Sequence, residues 1–318
     1  MTAPSKLTVS DYMTQWLTTT TPRLRASTVA QYEILIRVHI SPALGSLKLT
    51  ALRPVNLQQL YAGILAKGRS PRRAEQAHRV LHKALGDAVR LRLLPHNPAQ
   101  DVDAPNGKAP ERDIWSPAEV RLFIEASVSS ATLYDPLWLF LLGSGCRVGE
   151  ALGLRWGDVD WTAKSVLIER AVVHVKNVPM VGPPKTRSGR RRITLPAFAL
   201  AALRHQQARG GVSPDGGTTG AIFRNSKDGV PQPTDLRRRF HEAAARAGLP
   251  LMRIHDLRAA HATMLVAAGV DVKTVQRRLG HASLALTLGL YAKVVQSGDG
   301  LAAEAMDSLA PGSTLECI

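Results

Sequence analysis

The sequence predicts a mainly α-helical chain with a small antiparallel sheet, built as two domains. Three observations carry that expectation. The 318 residues exceed what one ordinary domain needs, and a 45% hydrophobic content is enough for two cores. Apolar residues recur at helical spacing through most of the chain, whereas residues 165–175 alternate and are β-branched. Pro95, Pro98, Pro105 and Pro110 punctuate a run with almost no large apolar residues, which reads as a linker. The expected boundaries are a helical domain over residues 1–104, a linker over 105–112 and a second domain over 113–318.

In the first domain, Thr8-Val9-Ser10-Asp11 has the form of a capping box with Asp in the acidic place, ahead of Met13, Trp16 and Leu17. Ser27 is expected to cap a second helix whose inward face carries Val29, Ile36 and Ile40, and Pro42 and Gly45 to end it. Pro54 fits the first position of a third helix, in which Leu57, Leu60, Tyr61, Ile64 and Leu65 keep the helical period. Gly68-Arg69-Ser70-Pro71 stops that helix and starts a fourth, which passes Val80, Leu81, Leu85 and Val89 and ends near Leu93. The second domain opens with Ser116-Pro117-Ala118-Glu119: cap, first helical residue and reciprocal cap. An apolar helix over 137–142 runs into Gly143-Ser144-Gly145-Cys146-Arg147, where glycine allows close backbone approach and sets Arg147 at a helix start. Residues 165–175 and Ile193-Thr194-Leu195 supply the antiparallel sheet, with Lys185 on the turn or strand edge between them. Residues 200–248 return to helix, interrupted by an Asp228-Gly229 turn, Pro231 and Pro233.

Charge narrows the function. Lys and Arg number 41 against 25 Asp and Glu, a net of +16. Residues 1–104 hold 14 cations and 6 anions, residues 105–318 hold 27 and 19, so both domains are basic. That points to a polyanion, double-stranded DNA, lying between them. Clustering at residues 190–192 and 237–239 argues against a general solubility charge. Cys146 and Cys317 are far apart and give neither a disulfide framework nor zinc spacing. No apolar run approaches the ~20 residues of a membrane span, and the N-terminus lacks a signal-peptide core. A cytoplasmic protein without a membrane partner is expected. No acidic cluster suits Mg²⁺ and no Walker loop is present, so no cofactor is expected.

The chemistry concentrates in Ile254-His255-Asp256-Leu257-Arg258, running on through Leu279-Gly280-His281 to Tyr291. Arginine grips two phosphate oxygens with a planar fork. Histidine holds or moves a proton near neutral pH, and tyrosine attacks phosphorus once its proton is removed. Upstream, Arg147 beside Glu150 suits a phosphate ligand and a salt-bridged structural residue equally well. Lys185 suits a proton donor on a hairpin or a strand-edge gatekeeper. Taken in order, Gly145-Cys146-Arg147 with Gly149-Glu150, the Leu154-Arg155-Trp156-Gly157-Asp158 run, Lys185, His255-Asp256-Leu257-Arg258, Leu279-Gly280-His281 and Tyr291 resemble the catalytic domain of the tyrosine recombinase, or phage integrase, family. The resemblance covers the C-terminal two-thirds. The first domain resembles the family's core-binding domain, without comparable motifs.

The resemblance implies a site-specific DNA recombinase that cuts and rejoins DNA through a 3′-phosphotyrosyl intermediate and a Holliday junction. Arg147 and Arg258 resemble the pair that clamps the scissile phosphate, Lys185 the acid for the leaving 5′ oxygen, and His255 the proton-handling histidine. His281 resembles the second histidine on the phosphate, Tyr291 the nucleophile, and Glu150 a supporting position. Ala259 stands directly after Arg258, where the family usually has histidine, and His261 lies two residues on. The ten-residue step from His281 to Tyr291 is closer to phage-type integrases. The chain starts at the core-binding helices, which implies a simple integrase acting on short core sites without an arm-binding domain, or one whose arm-binding domain lies outside this sequence. The implied partners are core attachment sites, a homotetramer on DNA, and accessory directionality or bending proteins. After Gly298 and Gly300, Leu301, Ala305, Met306 and Leu309 form one apolar stripe, expected to be a partner-docking tail. A type IB topoisomerase-like enzyme and a non-catalytic DNA-binding regulator of the same fold are the competing readings.

Overall fold

The computed structural model describes residues 6–106, 114–184, 187–209 and 220–280. The chain divides into two compact units, Met1–Glu111 and Arg112–Ile318.

The first unit is helical. Helix α1 (Val9–Thr20) starts on the expected capping box: Thr8 Oγ1 accepts from the Asp11 N–H, and Asp11 accepts from the Thr8 N–H. Helix α2 (Ala26–Leu35) corrects the sequence reading, because Ser27 is not its cap. The Thr28 and Val29 N–H groups both bond to the carbonyl of extended Arg25, so the helix begins before Ser27. Nor does Pro42 end this helix. Its ring and missing N–H are incompatible with a standard ladder. The backbone widens into a π turn over Ile36–Ile40, the Ser41 N–H reaches back to the Ile36 carbonyl, and helix resumes as α3 (Ser41–Leu44). Helices α4 (Pro54–Ala66) and α5 (Pro71–Arg90) both open on proline. α5 buries Ala74, Ala77, Val80, Leu81, Ala84, Leu85 and Ala88, and the Trp16 indole of α1 donates to Asp87 on it at 2.7 Å.

The second unit is built around one buried helix. Helix α6 (Pro117–Ser130) has the reciprocal Ser116–Glu119 cap. Helix α7 (Asp135–Ser144) is buried along its whole length, so it has neighbours on every side. Among them are α6, the short α8 (Val148–Leu152), α9 (Ala197–Ala208) and α11 (Asp256–Ala267). Strands β1 (Val159–Asp160), β2 (Ser165–Ile168) and β5 (Arg191–Thr194) form an antiparallel sheet in the order β1-β2-β5. Strands β3 (Ala171–Val175) and β4 (Val178–Gly182) make a separate hairpin. The stretch 165–175, read as one strand, therefore breaks at Glu169 and Arg170. The Arg170 guanidinium turns to Asp158 and Glu169, and the halves join different sheets. Helices α10 (Pro233–Arg246) and α12 (Val272–Leu279) are the other two helices of the unit among the described residues. Among the described residues no helix is long and apolar enough to cross a membrane.

Aromatic rings fill the core behind α7. Phe240 on α10 meets Trp138 at 5.3 Å, Trp115 at 5.9 Å and Phe123 at 6.0 Å between ring centroids, and it is fully buried. Phe240→Ala is expected to destabilise this unit by about 3–5 kcal/mol, read as a lower midpoint in denaturant unfolding of the full chain. A loss below about 1 kcal/mol would show that the aromatic cluster is not the support of α7.

Candidate active site

The apolar burial of α7 fixes the turn that follows it, residues 143–147, against α11. Gly145 adopts a left-handed conformation, φ +65°, and a Cβ there would lie 2.4 Å from Cδ2 of His261 on α11. The glycine is required twice, by its backbone angle and by the imidazole packed on it. Two residues later Arg147 occupies the N-cap of α8, as the sequence suggested.

Arg147 and Glu150 are joined reciprocally. The Arg147 N–H donates to Glu150 Oε2 at 3.0 Å, and Nη1 of Arg147 donates to Oε1 at 2.7 Å. The Glu150 residue is 3% exposed. Burial pushes its carboxyl upward, but Arg191 and then Arg147 outweigh that and hold it below the ordinary carboxylate value. The salt-bridged reading of Arg147 is what the structure shows, and a third of the side chain stays exposed.

Arg258, 4% exposed, lies on the first turn of α11. Its Nη1 donates to the Gly145 carbonyl at 2.7 Å and its Nη2 to the Leu279 carbonyl at 2.6 Å. The side chain thereby ties the turn after α7 to the end of α12. Burial, with Arg147 adding repulsion, brings its pKa down to about 10, so it stays charged at neutral pH. His255 is the N-cap of α11 and exposed at the rim. Partial desolvation, then Arg258, lower its pKa and favour the neutral imidazole, a form able to accept a proton.

Two arginines that sequence reasoning did not single out complete the cluster. Arg191 on β5 donates to Glu150 Oε2 at 3.0 Å, to the Arg278 carbonyl at 2.6 Å and to the Gly189 carbonyl at 2.9 Å. Arg278 on α12 donates from Nε to Nε2 of His261 at 3.0 Å and from Nη2 to the Gly143 carbonyl at 3.0 Å. His261 Nε2 must therefore be the acceptor, and Nδ1 carries the proton given to the Leu142 carbonyl at 2.8 Å. Burial, then Arg278, bring the His261 pKa to about 4. The sequence held a signal for Arg191: in a period-2 strand it shares a face with buried Ile193 and Leu195, so within residues 190–192 it is the one turned inward. Cys146, also buried here, has its thiol pushed up to about 12, mainly by burial, and stays neutral.

The structure brings together Arg147, His255 and Arg258. Lys185, His281, Tyr291 and the expected docking tail lie outside the described residues. Arg147 and Arg258 each retain N–H donors beyond those serving protein partners, and a guanidinium carries five. The chemistry available is bidentate binding of a phosphate-like anion beside a neutral imidazole.

Comparisons with known proteins find similar chains over most of the sequence. The model of the phage integrase family matches residues 116–297, and that of the phage integrase N-terminal SAM-like domain matches residues 8–65. A protein named tyrosine recombinase XerC-like from Caldanaerobacter subterraneus subsp. tengcongensis is 25% identical, covering 95% of this chain and 83% of its own length. The integrase of Mycobacterium phage L5 is 27% identical over 98% of this chain and 82% of its own. In fold, the chain is similar to the Tn1549 transposon integrase in complex with a circular intermediate DNA, with a TM-score of 0.81, 21% identity, and coverage of 96% of this chain and 100% of that one. It is also similar to a lambda integrase tetramer bound to a Holliday junction, with a TM-score of 0.66, 18% identity, and coverage of 89% and 77%.

His261 gives a prediction whose sign can be worked out. Its pKa is near 6.5 unfolded and about 4 folded. The stability it contributes is complete above pH 6.5 and is lost on acidification towards pH 4, because the unfolded chain binds the proton first. His261→Gln should lower the melting temperature at pH 7.5 and flatten its decline between pH 6.5 and 5. A variant that loses stability to acid as steeply as the parent would contradict the assignment of a neutral buried imidazole.

Proposed function

This chain belongs to the phage integrase family of tyrosine recombinases, and from that premise we propose that it cuts and rejoins duplex DNA at specific sites through a 3′-phosphotyrosyl intermediate and a Holliday junction, integrating or excising a phage or mobile element. The observation that carries the reading is the pair Arg147 and Arg258, each anchored by protein acceptors and each with N–H groups left to clamp one phosphate. In this scheme Tyr291 Oη attacks the scissile phosphorus. The bond to the 5′ oxygen breaks as Lys185 protonates it, and a phosphotyrosine forms. The two guanidinium groups and His281 hold the non-bridging oxygens, and their charge stabilises the pentacovalent transition state. His255, with its pKa lowered, handles the proton that leaves the tyrosine. One phosphate ester replaces another, so a 5′ hydroxyl from another strand can reverse the step without external energy.

The tyrosine assignment has support by elimination. The chain has five tyrosines. Tyr12, Tyr32 and Tyr61 belong to the first unit. Tyr134, in the second, gives its hydroxyl proton to Asp235 at 2.9 Å and is pushed up to about 12 by burial and then by Asp235, which makes it a poor nucleophile. Residues 1–104 serve as the core-binding domain, and both basic domains contribute to phosphate contacts. A homotetramer on DNA and a partner-docking tail after Tyr291 complete the proposal.

The target site can be selected rather than assumed. Incubating the protein with a random-sequence library of nicked duplexes, and recovering DNA that resists detergent, should yield a covalent adduct. Tyr291→Phe should abolish the adduct and leave noncovalent affinity nearly unchanged, and Arg258→Lys should cleave at least ~100-fold more slowly, since a point charge cannot replace the fork. Adduct from the Phe variant would mean that another residue is the nucleophile. Relaxation of supercoiled plasmid without strand exchange would favour a topoisomerase-like activity instead.

A further inference from the structure

We propose that Arg191 is a positioning residue for this reaction, holding Glu150 and the last turn of α12 in one grip and so setting the aim of the Arg147 guanidinium. The inference rests on the function proposed above and adds a residue outside the Arg147, Lys185, His255, Arg258, His281 and Tyr291 set. Nε, Nη1 and Nη2 of Arg191 are each committed to a protein acceptor, so it acts through other groups and not on a phosphate.

The geometry gives it three acceptors from three segments. They are Glu150 Oε2 next to the start of α8, the Arg278 carbonyl in α12, and the Gly189 carbonyl just ahead of its own strand. The three bonds come from three separate nitrogens of one planar fork, a spread that the single nitrogen of an ammonium group does not reproduce. The contact with Glu150 has a consequence for Arg147. Glu150 Oε2 is occupied by Arg191 and by the Arg147 backbone N–H, so the Arg147 side chain bonds only Oε1, through one N–H. A guanidinium carries five N–H groups, so Arg147 keeps donors that Glu150 does not take up. Without Arg191 the buried carboxylate would keep a single hydrogen-bonded cationic side chain, Arg147, with the Arg258 charge nearby. A planar guanidinium would then close on both oxygens, the geometry that carboxylates and arginines prefer. Arg147 would be captured by the protein instead of presented to an anion.

The other end of the grip lies where the chain leaves α12. Gly280 has φ +66°, and a Cβ there would lie 2.8 Å from the Ser188 carbonyl and 3.0 Å from Nη1 of Arg191. The end of α12 is therefore packed onto the Arg191 segment, and His281 is the next residue in the chain. Lys185 lies six residues before Arg191 along the chain. One side chain thus touches the segments that lead to the start of α8, to the stretch carrying Lys185 and to the stretch carrying His281 and Tyr291.

The test uses the full-length protein and the duplex that the parent captures from the nicked library. Dissociation constants on the uncut duplex, adduct-formation rates at saturating DNA, and melting curves are compared for the parent, Arg191→Lys, Arg191→Gln and the double variant Glu150→Gln, Arg191→Gln. Affinity should stay within roughly threefold of the parent, while the rate at saturation falls on the order of 100-fold for Arg191→Gln, the scale of a small misplacement of a catalytic group. Removing the stranded carboxylate in the double variant should return about tenfold of that loss, a coupling that a purely structural role would not produce. Should Arg191→Gln fail to fold, Arg191→Lys carries the same test, with affinity kept and the saturated rate reduced. The inference is overturned if affinity and rate fall together, if the saturated rate stays near the parent's, or if the double variant is slower than the single one. A parent that captures no duplex at all would overturn the functional reading, and this inference with it.

Discussion

A buried carboxylate organises the second unit. Glu150 is 3% exposed and ionised, a state that a protein interior tolerates only when every oxygen is served. Serving it draws in the Arg147 backbone and side chain and the Arg191 side chain. Arg191 in turn binds the carbonyl of Arg278, Arg278 binds His261 and the Gly143 carbonyl, and His261 binds the Leu142 carbonyl. A continuous series of hydrogen bonds thus runs from α8 through β5, α12 and α11 to the end of α7. Such networks gain from low local polarity when complete and are costly when broken. The result is an arginine pair fixed in place before any ligand arrives.

The same cluster is electrostatically unfinished. Arg147, Arg191, Arg258 and Arg278 share the neighbourhood, and of the acidic side chains only Glu150 is hydrogen-bonded to any of them among the described residues. Mutual repulsion shows in Arg258, whose pKa is brought down to about 10 by burial and then by Arg147, and in Arg278, lowered by burial and then by Arg191. An anion entering beside Arg147 and Arg258 would relieve that repulsion. His261 adds no further charge near neutral pH, because its pKa is about 4. Among the described side chains of the site, His255 at the rim is the histidine left to handle a proton near neutral pH.

Much of this was legible in the sequence because it depended on local rules. Both capping boxes, the prolines opening α4, α5 and α6, and the glycine turn before Arg147 appear where their residue types require them. Arg147, His255 and Arg258 fall together as the motif order implied. What escaped was non-local or turned on one backbone hydrogen bond. Ser27 lost its cap role when the chain entered the helix at Ala26, and Pro42 was absorbed by a π turn. β4 escaped notice because Pro179 sits inside it, a residue that argues against strand unless the strand is at an edge. Arg191 and Arg278 looked like two more basic residues in a basic chain. Their partners lie 41 and 17 positions away, and no periodicity reveals an acceptor at that distance.

The central claim is that Arg147 and Arg258 act on the charged non-bridging oxygens of a DNA phosphate. The most direct measurement compares cleavage of a normal duplex with one carrying a neutral methylphosphonate at the scissile position, using the parent, Arg147→Ala and Arg258→Ala. On the phosphate each substitution should slow cleavage by a factor on the order of 1000, as loss of a preorganised charge donor does. On the methylphosphonate, where an anionic oxygen is already gone, the penalty should shrink to about tenfold or less. Equal penalties on both substrates would contradict the account, because the arginines would then be needed for something other than the phosphate's charge.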